Sequence, residues 1–175
     1  VGKSSLLKAL MGIIPSEYKR LDWGRKVKVS YYDQENRQLS PEKRAIDEIW
    51  DRFPSMVETD VRNILGRVLL SGEDVYKPVK VLSGGEKVRC MLSRMMLFGS
   101  NVLVLDQPTN HLDLESITAV NNGLIDFKGV LLFSSHDHEF IQTIADRIMA
   151  FEDGKLIDRL GTYEEYIEFR RSAAV

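Results

Sequence analysis

A chain of 175 residues, 43% hydrophobic and 29% charged, is long enough to bury one core and ordinary enough in usage to exclude a disordered or low-complexity class. Its 24 basic and 26 acidic side chains leave a formal charge of −2, which excludes a global basic field and restricts any nucleic-acid contact to a local patch. The single cysteine, Cys90, excludes an internal disulfide, and no apolar run approaches the ~18 residues of a membrane span, so a cytoplasmic setting is expected.

Gly2, Lys3, Ser4 and Ser5 open a helical pattern over residues 5–11, with Leu6, Leu7 and Leu10 on one stripe and Gly12 as its stop. A lysine and a hydroxyl beside a positive helix N-terminus suit a nucleotide phosphate and its Mg²⁺. After a turn over residues 21–24, residues 26–31 alternate polar and apolar as a half-buried strand, closed by Gln34. Lys19, Arg20, Arg25, Lys26 and Lys28 interleave with Tyr18, Trp23 and Tyr31, a composition that suits RNA; Glu17, Asp22 and Asp33 offset the charge, and a solvated face is the plainer reading.

Residues 41–82 read as helical. Pro41 takes a first-turn position, Ile46, Ile49, Trp50 and Phe53 follow helical spacing up to Pro54, and Val57, Val61, Ile64, Leu65 and Val68 make a second amphipathic helix ending near Gly72. Ser83, Gly84 and Gly85 then open a helix over residues 86–98, offering a hydroxyl and close-approaching N–H groups, with Cys90 packed inside it as a small hydrophobe. Gly99, Ser100 and Asn101 turn the chain into the aliphatic run 102–105, which ends in Asp106. A carboxylate there lies at the carboxyl edge of a buried parallel strand, where open α/β sheets bind ligands. A helix over residues 114–127 and a stop at Gly129 lead to a second buried run, 130–134, which delivers Ser135, His136 and Asp137 to the same edge. A helix over residues 137–145 follows, then a hairpin of residues 147–151 and 156–160 turning at Asp153 and Gly154, and a terminal helix through Phe169 opened by a Thr162/Glu165 capping box.

Gly2-Lys3-Ser4, Leu82-Ser83-Gly84-Gly85-Glu86, strand-ending Asp106 and His136, in that order, resemble the ATP-binding-cassette ATPases. Glu86 in place of the transporters' usual Gln, Pro108-Thr109-Asn110-His111-Leu112-Asp113, and the Gly161, Tyr163, Tyr166 spacing are similar to the ABC-F branch. The resemblance covers nearly the whole chain. It implies an α/β, P-loop NTPase-type fold, a mostly parallel sheet flanked by helices, in which a helical subdomain (41–82) is inserted between core segments 1–40 and 83–175.

The resemblance also implies the roles. Gly2, Lys3, Ser4 and Ser5 bind ATP phosphates; Ser4, Gln34 and Asp106 hold Mg²⁺, with Gln34 also near the attacking water. Ser83, Gly84, Gly85 and Glu86 meet the ATP of a second cassette, and His136 is the switch that bonds the γ-phosphate. His111 belongs to the segment that faces that second cassette, whereas His138 reads as a helix-start residue. Gln107 stands where the family carries a Glu that polarises the attacking water; an amide orients water and accepts no proton. The implied partners are a second cassette, in tandem or as a homodimer, and the ribosome with its rRNA and tRNA. This would be the second cassette of two, with the first half of the phosphate loop upstream of Val1. Two other readings stand beside it: a transporter's ATPase subunit, disfavoured by Glu86 and the Asn110-His111-Leu112-Asp113 form, and a module that closes on ATP with little turnover, favoured by Gln107.

Overall fold

Alternation along one short strand decides the architecture. In the computed structural model, which describes residues 2–17, 20–33, 39–152 and 154–173, β1 (Val29–Tyr32), β2 (Val102–Asp106) and β3 (Val130–Ser134) form a parallel sheet in that order. β2 is buried throughout because both faces are covered. Val102 and Val104 pack with Leu7 of α1 (Lys3–Leu10), while Leu103 and Leu105 join the opposite layer. Side chains alternate along a strand, so Asp106 emerges on the same face as Val104, the α1 face.

The opposite layer is built from α4 (Gly84–Leu97), α5 (Leu114–Ile125) and α6 (His138–Ile144), with α2 (Ala45–Trp50) and α3 (Glu58–Arg67) continuing the same core. Val88, Met91, Leu92 and Met95 of α4 present an apolar stripe to the core, and Cys90 is fully buried among them, as expected of a small hydrophobe. Burial pushes the Cys90 thiol up to about 12, which leaves it protonated and inert at neutral pH. α2 and α4 are tied by a buried ion pair, Arg94 Nη1 to Glu48 Oε2 at 3.1 Å, and the other Glu48 oxygen accepts from the Ser40 N–H at 2.8 Å. The chain closes with an antiparallel pair, β4 (Arg147–Glu152) and β5 (Lys155–Leu160), and α7 (Tyr163–Ala173). Thr162 and Glu165 form the expected reciprocal cap, with bonds of 2.7 and 3.3 Å. No helix among the described residues is long and apolar enough to cross a membrane.

Three boundaries differ from the sequence reading. The first strand begins at Val29 rather than Lys26, because Asn101 captures the approach: its side chain accepts from the Lys28 N–H and donates to the Lys26 carbonyl, both at 2.8 Å. Pro41 opens no helix. The Lys80 N–H bonds its carbonyl at 2.9 Å and the Val79 N–H bonds that of Lys43 at 2.8 Å, so this stretch pairs with residues 78–80 and α2 starts at Ala45. The second helix stops at Arg67, where Leu69 (φ 57°) adopts the left-handed turn and the Leu70 N–H bonds the Leu65 carbonyl at 3.0 Å. Short 3₁₀ turns, Gly72–Tyr76 and Val79–Val81, carry the chain on to α4.

Candidate nucleotide site

Two clusters emerge from the residues singled out in the sequence. The first lies at the carboxyl edge of the sheet. Gly2 (φ 96°) turns left-handed immediately before α1; no atom would crowd a Cβ there, so the backbone conformation itself is what favours glycine. Lys3 and Ser4 follow on the first turn. The Ser4 hydroxyl donates to Asp106 Oδ1 at 3.0 Å, and Ser134, the register partner of Asp106 on β3, donates to the same oxygen at 2.6 Å. Asp106 is only 4% exposed, so these two hydroxyls replace the water it loses. The Lys3 ammonium lies 3.2 Å from His136 Nε2 and 3.4 Å from Nδ1. Burial lowers the Lys3 pKa from its ordinary value, with Asp106 opposing that shift. Ser5 is exposed on α1.

Gln107 follows Asp106 with φ 51°, and its N–H is shared between the Ser134 carbonyl (3.0 Å) and hydroxyl (3.2 Å). Its side-chain Oε1 accepts from Asn110 Nδ2 at 3.2 Å. Gln107, Thr109, Ser135 and His136 line a small cavity of about 130 Å³. A larger one of about 380 Å³ lies between β1 and α4, lined by Tyr31, Arg52, Arg94 and Phe98, and none of the cluster's residues borders it.

The second cluster is the N-terminus of α4. Ser83 Oγ accepts from the Glu86 N–H at 3.2 Å and Glu86 returns a bond from the Ser83 N–H at 2.6 Å, a complete capping box that leaves the Ser83 proton available to donate outward. Gly85 is glycine for want of room: a Cβ there would lie 2.0 Å from Ser116 Oγ. Asp113 caps α5 by accepting from the Ser116 N–H at 2.8 Å. No hydrogen bond among the described residues joins this cluster to Lys3, Ser4, Asp106 or His136. Gln34, Tyr18 and Lys19 lie outside the described residues. His138 is the first residue of α6, as expected, and His111 (φ 61°) turns the chain before Asp113.

Ser134 and Ser116 are site residues that sequence reasoning passed over, and Asn110 was read only as part of a motif, without its bond to Gln107. Ser134 becomes visible only through register, and Asn110 through the turn closed by its N–H on the Gln107 carbonyl at 3.1 Å.

A helix N-terminus, a lysine, a hydroxyl and a buried carboxylate at one end of a parallel sheet define a P-loop ATPase of the α/β class. Residues 1–110 match the family described as ABC transporter. The chain is 46% identical to YdiF of Bacillus subtilis (strain 168), over 96% of this chain and 26% of that protein. It is 35% identical to ATP-binding cassette sub-family F member 3 of Mus musculus, over 94% of this chain and 23% of that one. A solved dimer of the ATP-binding cassette MJ0796, in a post-hydrolysis state bound to ADP and Pi, has the same fold, with TM-score 0.68 and 20% identity over 91% of this chain and 80% of that one. The chain belongs to the ABC transporter family, as one of its ATP-binding cassettes, and has relatives named in sub-family F. It spans about a quarter of the length of the two curated relatives.

Proposed function

We propose that this chain is a cassette of an ABC-F-type ATPase that binds Mg-ATP on Lys3, Ser4, Asp106 and His136, is completed by Ser83, Gly84, Gly85 and Glu86 of a second cassette, and uses closure to act on the ribosome. The convergence of the first four residues at one sheet edge, with the α4 N-terminus bonded elsewhere, carries this reading. Exposed Val81 and Leu114 beside the second cluster support a docking face, and the related cassette MJ0796 was solved as a dimer.

The donor set fits the metal. Ser4 and Asp106 offer adjacent hard oxygens, and no group of three or more His, Cys, Asp or Glu among the described residues could hold a metal on its own, so a cation here would keep water and phosphate ligands as Mg²⁺ does. Mg²⁺, when bound, neutralises charge on the β- and γ-phosphates. Lys3 donates to the phosphate oxygens and His136 bonds the γ-phosphate. Ser83 Oγ–H and the Gly84 and Gly85 N–H groups donate to the ATP held by the opposite cassette. Gln34 keeps its place near the metal and water through the resemblance alone. Gln107 orients the water that attacks the γ-phosphorus as the bond to the ADP oxygen breaks; the water's proton leaves to phosphate or solvent, because an amide does not accept it. Slow turnover follows from that substitution.

In the full-length protein, Lys3→Ala should weaken ATP binding in calorimetry by roughly 10- to 150-fold, the worth of a charge-assisted contact. Unchanged binding contradicts the site. Sedimentation with ribosomes in ATP but not ADP tests the partner, and ATP-dependent association with a membrane-spanning subunit instead would favour the transporter reading.

A further inference from the structure

We infer that Asn110 is a positioning residue: by holding Gln107 Oε1 it turns the amide so that its NH₂ end, not its carbonyl, faces the nucleotide. The inference rests on the site reading above.

Gln107 has little freedom to choose otherwise. Its backbone is left-handed (φ 51°) with its N–H shared by two Ser134 oxygens, at 3.0 and 3.2 Å, which sets the direction of the Cα–Cβ bond. The Asn110 N–H bonds the Gln107 carbonyl at 3.1 Å, closing a turn that brings the two side chains together, and Asn110 Nδ2 donates to Gln107 Oε1 at 3.2 Å. An amide has one acceptor end and one donor end. With Oε1 engaged, the two N–H groups are left for the cavity shared with Thr109, Ser135 and His136. Donors there suit the γ-phosphate oxygens or a water lone pair, so they hold ATP closed and leave the water without an acceptor. Had Asn110 been an acceptor, the same glutamine would offer its carbonyl to that water. Asn110 is exposed, so changing it costs the fold little.

The test compares Asn110→Asp and Asn110→Ala in the full-length protein, each with Gln107 and with Gln107→Glu, reading closed-state lifetime and single-turnover hydrolysis. With Gln107, Asn110→Asp should turn the amide over, shortening the closed state and raising turnover roughly two- to tenfold, the worth of one hydrogen bond, with Asn110→Ala smaller in the same direction. With Gln107→Glu the sign reverses. Asn110→Asp then replaces a donor to the glutamate with a second carboxylate that repels it, and turnover should fall. An equal change in both backgrounds would overturn the inference, leaving Asn110 a purely structural part of the turn. So would Asn110→Asp leaving the Gln107 protein unchanged while Asn110→Ala shortens the closed state, because the two amides then pair the other way round. Failure of the site reading shows instead as Lys3→Ala leaving ATP affinity unchanged.

Discussion

Gln107 combines two features that a residue rarely carries together away from a functional site: a left-handed backbone on a non-glycine residue, and a place beside the buried Asp106 on the cavity shared with His136. Glutamate has nearly the same volume and the same backbone cost. Gln107→Glu should therefore leave folding and ATP affinity unchanged and raise single-turnover hydrolysis by about 10²–10⁴, the usual worth of general-base assistance. An unchanged rate with ATP still bound would place Gln107 away from the attacking water. At Asp113 the relevant chemistry is the cap. The Ser116 N–H, reinforced by the Ser116 side chain, holds this carboxyl below its ordinary 3.8. A depressed carboxylate stabilises the fold above its unfolded pKa and loses that contribution as pH falls through the lower, folded value. As pH falls through and below the ordinary 3.8 the melting temperature should fall more steeply for the native chain than for Asp113→Asn, which keeps an uncharged capping oxygen; parallel curves would contradict this. Lys3, Ser4 and Asp106 were legible in the sequence because their types and order are distinctive, whereas the bond from Ser134 to Asp106 depends on a strand register no single stretch encodes.

Helices α4 and α5 meet where glycine is required by space. Gly85→Ala would drive a methyl to 2.0 Å from Ser116 Oγ and 2.4 Å from its Cβ, so the helices must separate, at a cost of about 1–3 kcal/mol. Ser116→Gly should rescue it and Ser116→Ala should not, since the Cβ contact remains; a double-mutant cycle by urea unfolding reads the difference, and full rescue by Ser116→Ala would refute the packing argument. The α2–α4 tie depends on a buried charge pair. Glu48→Ala leaves the buried Arg94 without its carboxylate and should cost about 3–5 kcal/mol, more than Glu48→Gln, which can still accept from the Ser40 N–H. Equal losses would mean that the acceptor kept by glutamine is immaterial and that the lost charge alone accounts for the cost. Periodicity located α1 and α3 because their apolar stripes repeat at helical spacing. It failed at Pro41, whose carbonyl is taken by the Lys80 N–H, a partner distant in sequence that no local pattern announces.

The described residues form a parallel sheet with α1 on one face and a continuous helical core on the other, together with the antiparallel pair β4–β5, and they present two chemically distinct clusters. One gathers Lys3, Ser4, Asp106 and His136; the other offers the capped N-terminus of α4 with exposed Val81 and Leu114. The central claim is that these clusters belong to two different ATP sites, each completed by another cassette. Ser83→Arg in the full-length protein tests it most directly, with equilibrium ATP affinity and ATP-dependent closure measured on the same sample. The split arrangement predicts that ATP affinity of the open form survives while closure is lost, the opposite of Lys3→Ala, which removes binding first. If Ser83→Arg abolishes ATP binding as fully as Lys3→Ala does, the two clusters serve one site within a single cassette and the claim is wrong.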